Sequence, residues 1–369
     1  MIKVFIAPRR YVQGVGVLKD IGKYVAPLGK RAMVVWGPNV SQIYGEAVGK
    51  SLADNKVELC SYVFNGECDR PQTDAGIEQA KALNADVVVG LGGGKAIDMG
   101  KAIASGAGAK FASVPTIASN DAPTSAASVF YTSAGDFVGW DVWRANPDLV
   151  LVDPEVIVSA DARWLVSGMG DGLCTWYEAE AAFKGRRTAI AGGVATLAAM
   201  NLAKLCGETI LEFGVDAKRD CELHIVTPAV EKVVEANTLL SGLGFESGGV
   251  ATAHAIGNGL TTPAKPFSHG ERVAFGLAAQ LCMDEDIPVA ERLRVFDFMV
   301  AVGLPVTLQE LGLGGISKEQ LTELATGFAG EGSIAHNHVF TVTPFDIYCA
   351  IVAADALGQE RRKLAGKKG

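Results

Sequence analysis

Along the first part of the chain, short runs of β-branched and aliphatic residues alternate with amphipathic stretches. Arg31-Ala-Met-Val-Val-Trp36 reads as a buried strand that stops at Gly37-Pro38, Val57–Phe64 as a second, and Asp86–Leu91 as the clearest. Between them, Asp74–Leu83 sets Ile77, Ala80 and Leu83 on one helical face. After Gly92–Gly94, the residues Ile97, Gly100, Ile103 and Ala104 give a second such face, and Lys110–Val114 returns as a strand ending at Pro115. Strand, helix, strand, helix predicts a mostly parallel sheet with right-handed crossovers.

At Asp153-Pro154 the pattern changes. Helical spacing dominates the rest of the chain, over Thr188–Glu212, Asp216–Leu243, Glu271–Asp286 and Val289–Val302. Ser317-Lys-Glu-Gln320 has the form of a capping box. Thr343-Pro344 pairs an N-cap with proline at the first helical position and opens a last helix. Two domains are expected, α/β over residues 1–158 and all-helical over residues 159–369, with ligands in the cleft between them. There is no internal repeat and no low-complexity linker, only a short basic tail, Gly366-Lys-Lys-Gly369.

Composition narrows the class. Of 369 residues, 49% are hydrophobic and 20% charged, which fills real cores and is too little charge for a disordered chain. Lys and Arg number 33 against 41 Asp and Glu, a formal net charge of -8, so the basic footprint of a nucleic-acid binder is missing. Glycine is in excess at 44 residues, with no G-X-Y period, and belongs to turns and close backbone approaches. The seven cysteines are odd in number, scattered, and without a C-x-x-C pair, which argues against a disulfide framework and a cysteine zinc cage. No cleavage pattern opens the chain and no apolar run approaches the ~18 residues of a membrane span, so a cytoplasmic protein with no membrane partner is expected.

Three segments carry candidate chemistry. In Val89-Gly-Leu-Gly92-Gly93-Gly94-Lys95-Ala-Ile-Asp98, glycines between a strand and a helix let backbone N–H groups approach a phosphate at a helix N-terminus. Lys95 breaks a G-x-G-x-x-G fingerprint, while Val89 and Ala96 break a Walker A loop, so a dinucleotide pyrophosphate is the better reading. A bare strand-to-helix turn is the alternative. Pro115-Thr-Ile-Ala-Ser-Asn-Asp-Ala-Pro-Thr-Ser125 is a stiff polar loop at the carboxyl end of a strand, where open α/β sheets bind ligands. Asp171, His254 and His269 lie in glycine-punctuated segments and form a possible metal set, one carboxylate and two imidazoles with positions left open. By spacing alone each is as well read as a packed or capping residue. The remaining histidines, His224, His336 and His338, are assigned ordinary hydrogen bonding. No G-x-S-x-G elbow and no H-E-x-x-H occurs, which disfavours α/β-hydrolases and the common zinc proteases.

Taken in order, these segments resemble the glycerol dehydrogenases of the metal-dependent, iron-containing alcohol dehydrogenase superfamily. The likeness runs from Tyr11-Val-Gln-Gly14 through the glycine turn, Pro115–Ser125 with Tyr131, Gly170-Asp171 and Glu235–Gly249 to His254-Ala-Ile and His269–Gly276. It implies a dehydroquinate synthase-like fold: an α/β N-terminal domain with a parallel dinucleotide-binding sheet, plus an all-α C-terminal domain. Carried over by position, Asp171, His254 and His269 hold zinc between the domains. Gly92, Gly93, Gly94 and Lys95 bind the pyrophosphate, with Gly37 and Asp98 also on the cofactor side. Thr116, Ser119, Ser125 and Tyr131 line the adenosine and nicotinamide path, Asp121 meets the substrate hydroxyls, and Phe245 walls the pocket. Thr175 stands where iron-type relatives carry a further histidine. Gly37 replaces the aspartate that discriminates between cofactors, Gly257 replaces a second histidine of the His254 segment, and Asn120 replaces a threonine.

The activity so implied is metal-assisted hydride transfer between a small polyol or alcohol, glycerol to dihydroxyacetone, and NAD, with NADP possible. The proton leaves through water. A homo-oligomer, an octamer by resemblance, is expected. Alternatives within the fold are an NADP-preferring diol or butanol-type dehydrogenase and a 2-oxoacid reductase. A dehydroquinate synthase-like lyase would need more basic residues near the metal than Lys265, Arg272 and Lys95 supply, and a non-catalytic nucleotide-binding module would not keep all three metal residues.

Overall fold

The structure is a computed structural model that describes residues 1–260 and 267–366. Lys265 and the basic tail beyond Gly366 lie outside the described residues. The chain divides into two compact units, one of Ile6–Asp161 with Cys221–Val226, the other of Met1–Phe5, Ala162–Asp220 and Thr227–Gly369.

The first unit is built on strands β1 (Tyr11–Gln13), β2 (Arg31–Trp36), β3 (Glu58–Val63), β4 (Val87–Gly92), β5 (Lys110–Pro115) and β8 (Leu149–Val152). They pair in the order β1-β8-β5-β4-β2-β3, every pair parallel. The intervening helices are α1 (Ile21–Val25), α2 (Pro38–Asp54), α3 (Arg70–Ala82) and α4 (Gly94–Ala107), and α5 (Pro154–Ser159) follows the last strand. Strand alternation splits the core in two. Val34, Trp36, Val89 and Leu91 pack with Ile21 and Leu52, while Met33, Val35 and Val88 pack with Ile97 and Ile103. An antiparallel hairpin of β6 (Ala127–Tyr131) and β7 (Phe137–Val142) stands apart from the sheet.

Register places the loops that matter. Gly92 pairs with Pro115 across β4 and β5, and Val35 with Gly90 across β2 and β4. The glycine turn, the Pro115–Ser125 loop and Gly37 therefore leave the sheet side by side at its carboxyl edge. This is the edge where open α/β sheets bind ligands.

The second unit carries α6 (Ala162–Lys184), α7 (Leu197–Glu222), α8 (Pro228–Glu235), α9 (Ser241–Gly248), α10 (Thr252–Gly259), α11 (His269–Met283), α12 (Val289–Val302), α13 (Lys318–Phe328) and α14 (Pro344–Ala365). Both capping features read from the sequence are present, at Ser317 with Gln320 and at Thr343 ahead of Pro344. Two helix expectations are corrected. Residues 188–196 form a turn with bridges from Val194 to Thr188 and Lys3, and the helix starts only at Leu197, because Gly192 at φ 87° breaks the run. The expected helix from Asp216 to Leu243 is interrupted after Glu222, where His224 has φ 56° and Thr227-Pro228 caps and restarts the chain. Among the described residues no helix is long and apolar enough to cross a membrane.

Candidate functional site

Asp171 lies in the middle of α6, His254 in the first turn of α10 and His269 at the first position of α11. Glycines beside these residues let the three helices touch backbone to backbone. A Cβ on Gly170 would stand 2.5 Å from the Gly270 carbonyl oxygen, one on Gly270 would collide with the Ser167 carbonyl, and one on Gly276 with that of Ala253. The glycine excess of the sequence thus serves helix crossings as much as turns. Ser268 and Glu271 close a capping box that fixes the start of α11. Arg163 of α6 grips the same Glu271 carboxylate at 3.0 and 2.8 Å, tying the two helices together.

Ligand atoms of the three residues all lie within 4.8 Å of one another. His254 Nε2 stands 3.5 Å and His269 Nε2 3.3 Å from Asp171 Oδ1. Donors held about 2.1 Å from one tetrahedral ion are about 3.4 Å apart, so the spacing fits a shared metal. Asp171 is fully buried, and His254 nearly so. Burial works against the Asp171 charge, but the His269 and His254 imidazoles outweigh it and hold the carboxyl well below the usual range. For His254, burial opposes the charged ring, yet Glu178 and Asp171 raise its pKa well above the ordinary value. Two buried carboxylates facing imidazoles suit a divalent cation, whose charge would balance theirs.

Nothing in the sequence singles out Glu178. Its side chain is fully buried on α6 and its carboxylate accepts the His254 ring N–H at Nδ1. The available signal is its register, since residues seven apart on a helix share a face, here with Asp171. Gln280 escapes sequence reasoning likewise, and its Oε1 accepts the Ala253 N–H at 2.9 Å. Phe245 is buried with its ring 5.8 Å from that of His254. Thr175 pairs with Ser241 at 3.1 Å and is not in the metal cluster. Gly257 faces α11, where a Cβ would stand 2.7 Å from Val273 Cα, so its departure from the histidine pattern serves helix packing.

In the α/β unit, Gly92 takes φ 153° and Gly93 is the N-cap of α4, without a side-chain bond to the first turn. Lys95, beside this turn, pairs with Glu67 at 2.5 Å and lies 5.3 Å from the Tyr131 ring centre. Asp98 and Ser125 are buried. Lys101, itself 4% exposed, reaches Asp98 Oδ1 at 2.9 Å, the Ala122 carbonyl at 3.0 Å, Ser125 Oγ at 3.4 Å and the Ala127 carbonyl. The Asp98 carboxylate also accepts the Val129 N–H at 3.1 Å. Thr116 and Ser119 are buried at the root of that loop, and Asp121 is partly exposed within it. Gly37 is the N-cap of α2, with open space where a Cβ would be.

A parallel sheet with a glycine turn at its carboxyl edge, and a helical unit with a carboxylate–imidazole metal set, define a nucleotide-dependent, metal-assisted oxidoreductase. Residues 8–154 match the family described as iron-containing alcohol dehydrogenase. A glycerol dehydrogenase of Thermotoga maritima is 45% identical over 370 residues, 99% of this chain and 100% of the relative. A glycolaldehyde reductase of Halobacterium salinarum is 42% identical, covering 98% of this chain and 100% of the relative. The solved structure of glycerol dehydrogenase from Schizosaccharomyces pombe superposes with TM-score 0.93 at 36% identity, over 99% of this chain and 93% of that one. The chain belongs to the iron-containing alcohol dehydrogenase family, with its dehydroquinate synthase-like fold, and is an enzyme of the alcohol and polyol dehydrogenase type.

Proposed function

We propose that this enzyme oxidises glycerol to dihydroxyacetone, reversibly, with zinc and a nicotinamide cofactor. The observation that carries the reading is the buried set Asp171, His254 and His269 in a chain similar over its full length to glycerol dehydrogenases. Zinc would polarise a substrate hydroxyl as a Lewis acid, and the nicotinamide would accept the hydride. Asp171, His254 and His269 hold the ion through two nitrogens and one oxygen, a donor set suited to zinc, and three protein donors leave positions open for a vicinal diol. Phe245 shields the His254 ring from water on one side.

The amides following Gly92 and Gly93 bind the pyrophosphate at the start of α4, and Lys95 adds positive charge there. Thr116, Ser119 and Tyr131 line the path of the dinucleotide, and Asp121 accepts hydrogen bonds from substrate hydroxyls. Nothing at Gly37 repels a 2′-phosphate, so NADP is accepted beside NAD. A cytoplasmic homo-oligomer, octameric as the resemblance implies, belongs to the same proposal and is read by light scattering.

The 42% identical glycolaldehyde reductase supports a second reading, reduction of a small hydroxyaldehyde by the same site. Steady-state rates with glycerol, other 1,2-diols, glycolaldehyde and 2-oxoacids, using both cofactors, before and after chelation and with zinc or iron restored, test the assignment. Highest kcat/KM for glycerol and recovery with zinc are expected. Activity confined to 2-oxoacids, or undiminished by chelation, would overturn it.

A further inference from the structure

Helix α10 has no cap of its own, since its N-cap residue, Ala251, carries no side-chain oxygen. Its first amides find acceptors on the two helices that hold the other metal residues. The Ala251 and His254 N–H groups donate to Glu178 Oε1 at 2.8 and 2.9 Å, and Ala253 N–H donates to Gln280 Oε1 at 2.9 Å. The second Glu178 oxygen, Oε2, accepts from His254 Nδ1. One buried carboxylate therefore both caps the helix and grips the ring of the same metal residue.

The geometry points to Glu178 as a positioning residue for the metal: it fixes the Nδ1–H form of His254 and so keeps the Nε2 lone pair directed at the Asp171–His269 cluster. An ionised carboxylate can only accept hydrogen bonds. Facing it, Nδ1 must carry a proton, so the proton that gives way to a metal is the one on Nε2, 3.5 Å from Asp171 Oδ1. Glutamine has the same shape but only one acceptor oxygen. If that oxygen keeps the two backbone amides, the amide nitrogen donates to Nδ1, the ring proton moves to Nε2, and the lone pair a metal needs is gone. If the amide flips, its NH2 group opposes two N–H donors and unseats α10. Outer partners of metal-bound imidazoles act in this way in general.

The assignment rests on the metal reading proposed above and is tested apart from it, by competition between a chelator and the protein for zinc alone. Glu178→Gln is expected to weaken zinc binding by about 10- to 100-fold. Glu178→Asp, which keeps two acceptor oxygens, should recover part of that loss. Gln280→Ala removes a cap from the same helix end without touching the ring; it should lower thermal stability and leave zinc affinity near that of the parent.

Equal losses in Glu178→Gln and Gln280→Ala would reduce Glu178 to a cap and overturn the assignment, as would Glu178→Gln binding zinc like the parent. A parent that binds no zinc would instead defeat the metal reading. Should Glu178→Gln not fold, neutron diffraction from the zinc-loaded parent addresses the same atom. A deuteron on His254 Nδ1 facing Glu178 is expected, and one on Glu178 with none on Nδ1 overturns the assignment.

Discussion

The role proposed for Gly37 gives a testable expectation for cofactor choice. A carboxylate at the end of the second strand accepts hydrogen bonds from the adenosine ribose and repels a 2′-phosphate. Gly37→Asp fits without strain, since the backbone there is extended (φ −79°, ψ 163°) and a Cβ meets nothing within 4 Å. A hydrogen bond to a charged group contributes about 1.5–3 kcal/mol, so the substitution should shift the NAD-to-NADP ratio of kcat/KM toward NAD by roughly 10- to 100-fold. The parent should discriminate by less than about tenfold, for want of that contact. A parent that already favours NAD a thousandfold would show that another residue selects.

The metal residues give a simpler expectation: His254→Ala or Asp171→Ala should abolish turnover and zinc retention while circular dichroism stays native. Normal zinc content in His254→Ala would contradict it. As candidates these three are legible through the family resemblance, since by spacing alone each is as well read as a packed or capping residue. Glu178 is not, because a glutamate between Tyr177 and Ala179, with a second glutamate at 180, reads as part of a solvated face until its neighbours in space are known. His338 lies in a loop and is hydrogen-bonded as expected, its Nε2 2.9 Å from Thr252 Oγ1, and is also buried. Burial pushes its pKa down to about 4 from the usual 6.5.

That shift makes stability depend on pH. Below 6.5 the unfolded chain takes up the proton and the folded one does not, so stability falls as pH drops from 6.5 toward 4. At full extent the loss is about 3 kcal/mol. Denaturant unfolding of the parent and of His338→Gln at pH 7 and pH 4.5 should show a smaller drop in the variant, and equal drops would rule the histidine out.

At the scale of elements, glycine decides opposite outcomes by place. Gly270→Ala would drive a methyl group into the Ser167 carbonyl, backbone against backbone, where neither side can yield without separating α6 from α11. A loss of about 1–3 kcal/mol is expected, together with weakened metal binding. Gly49→Ala, in the interior of α2, meets only Leu59 Cδ2 at an ordinary 3.5 Å and should raise stability by about 0.5–1 kcal/mol. Thermal unfolding of the two variants checks both signs at once. Strands β2 to β5 are readable almost residue by residue, as runs of apolar residues between helical stretches, while β1 and the short β8 escape the pattern although β8 is buried and apolar. The helix expected from Thr188 fails because a bridge to Lys3 and the Gly192 turn depend on a segment far away in the chain.

For the whole molecule, metal set and nucleotide turn belong to different units of one chain. Chelation should therefore end turnover and lower the melting temperature, since a ligand bound only to the folded state stabilises it, while NADH fluorescence still reports cofactor binding. Loss of cofactor binding on chelation would mean that the α/β unit depends on the metal for its shape. The fold class is legible from alternation and the change at Asp153. Which side chains converge is not, since convergence depends on helix crossings that no local pattern records.

Those crossings also bear on which metal the enzyme prefers. With Gly170, Gly270 and Gly276 already holding backbones at closest approach, the helices can neither draw nearer nor spread without losing their packing. Distances between donors are thus set by the backbone, and natural variation has little room to adjust them. A change of metal must come from exchanging donor atoms on a fixed frame. Thr175, one turn from Asp171, is closed in by Gly244, whose Cβ would strike its methyl group. A fourth protein donor there would require α9 to move, which favours a site of three donors.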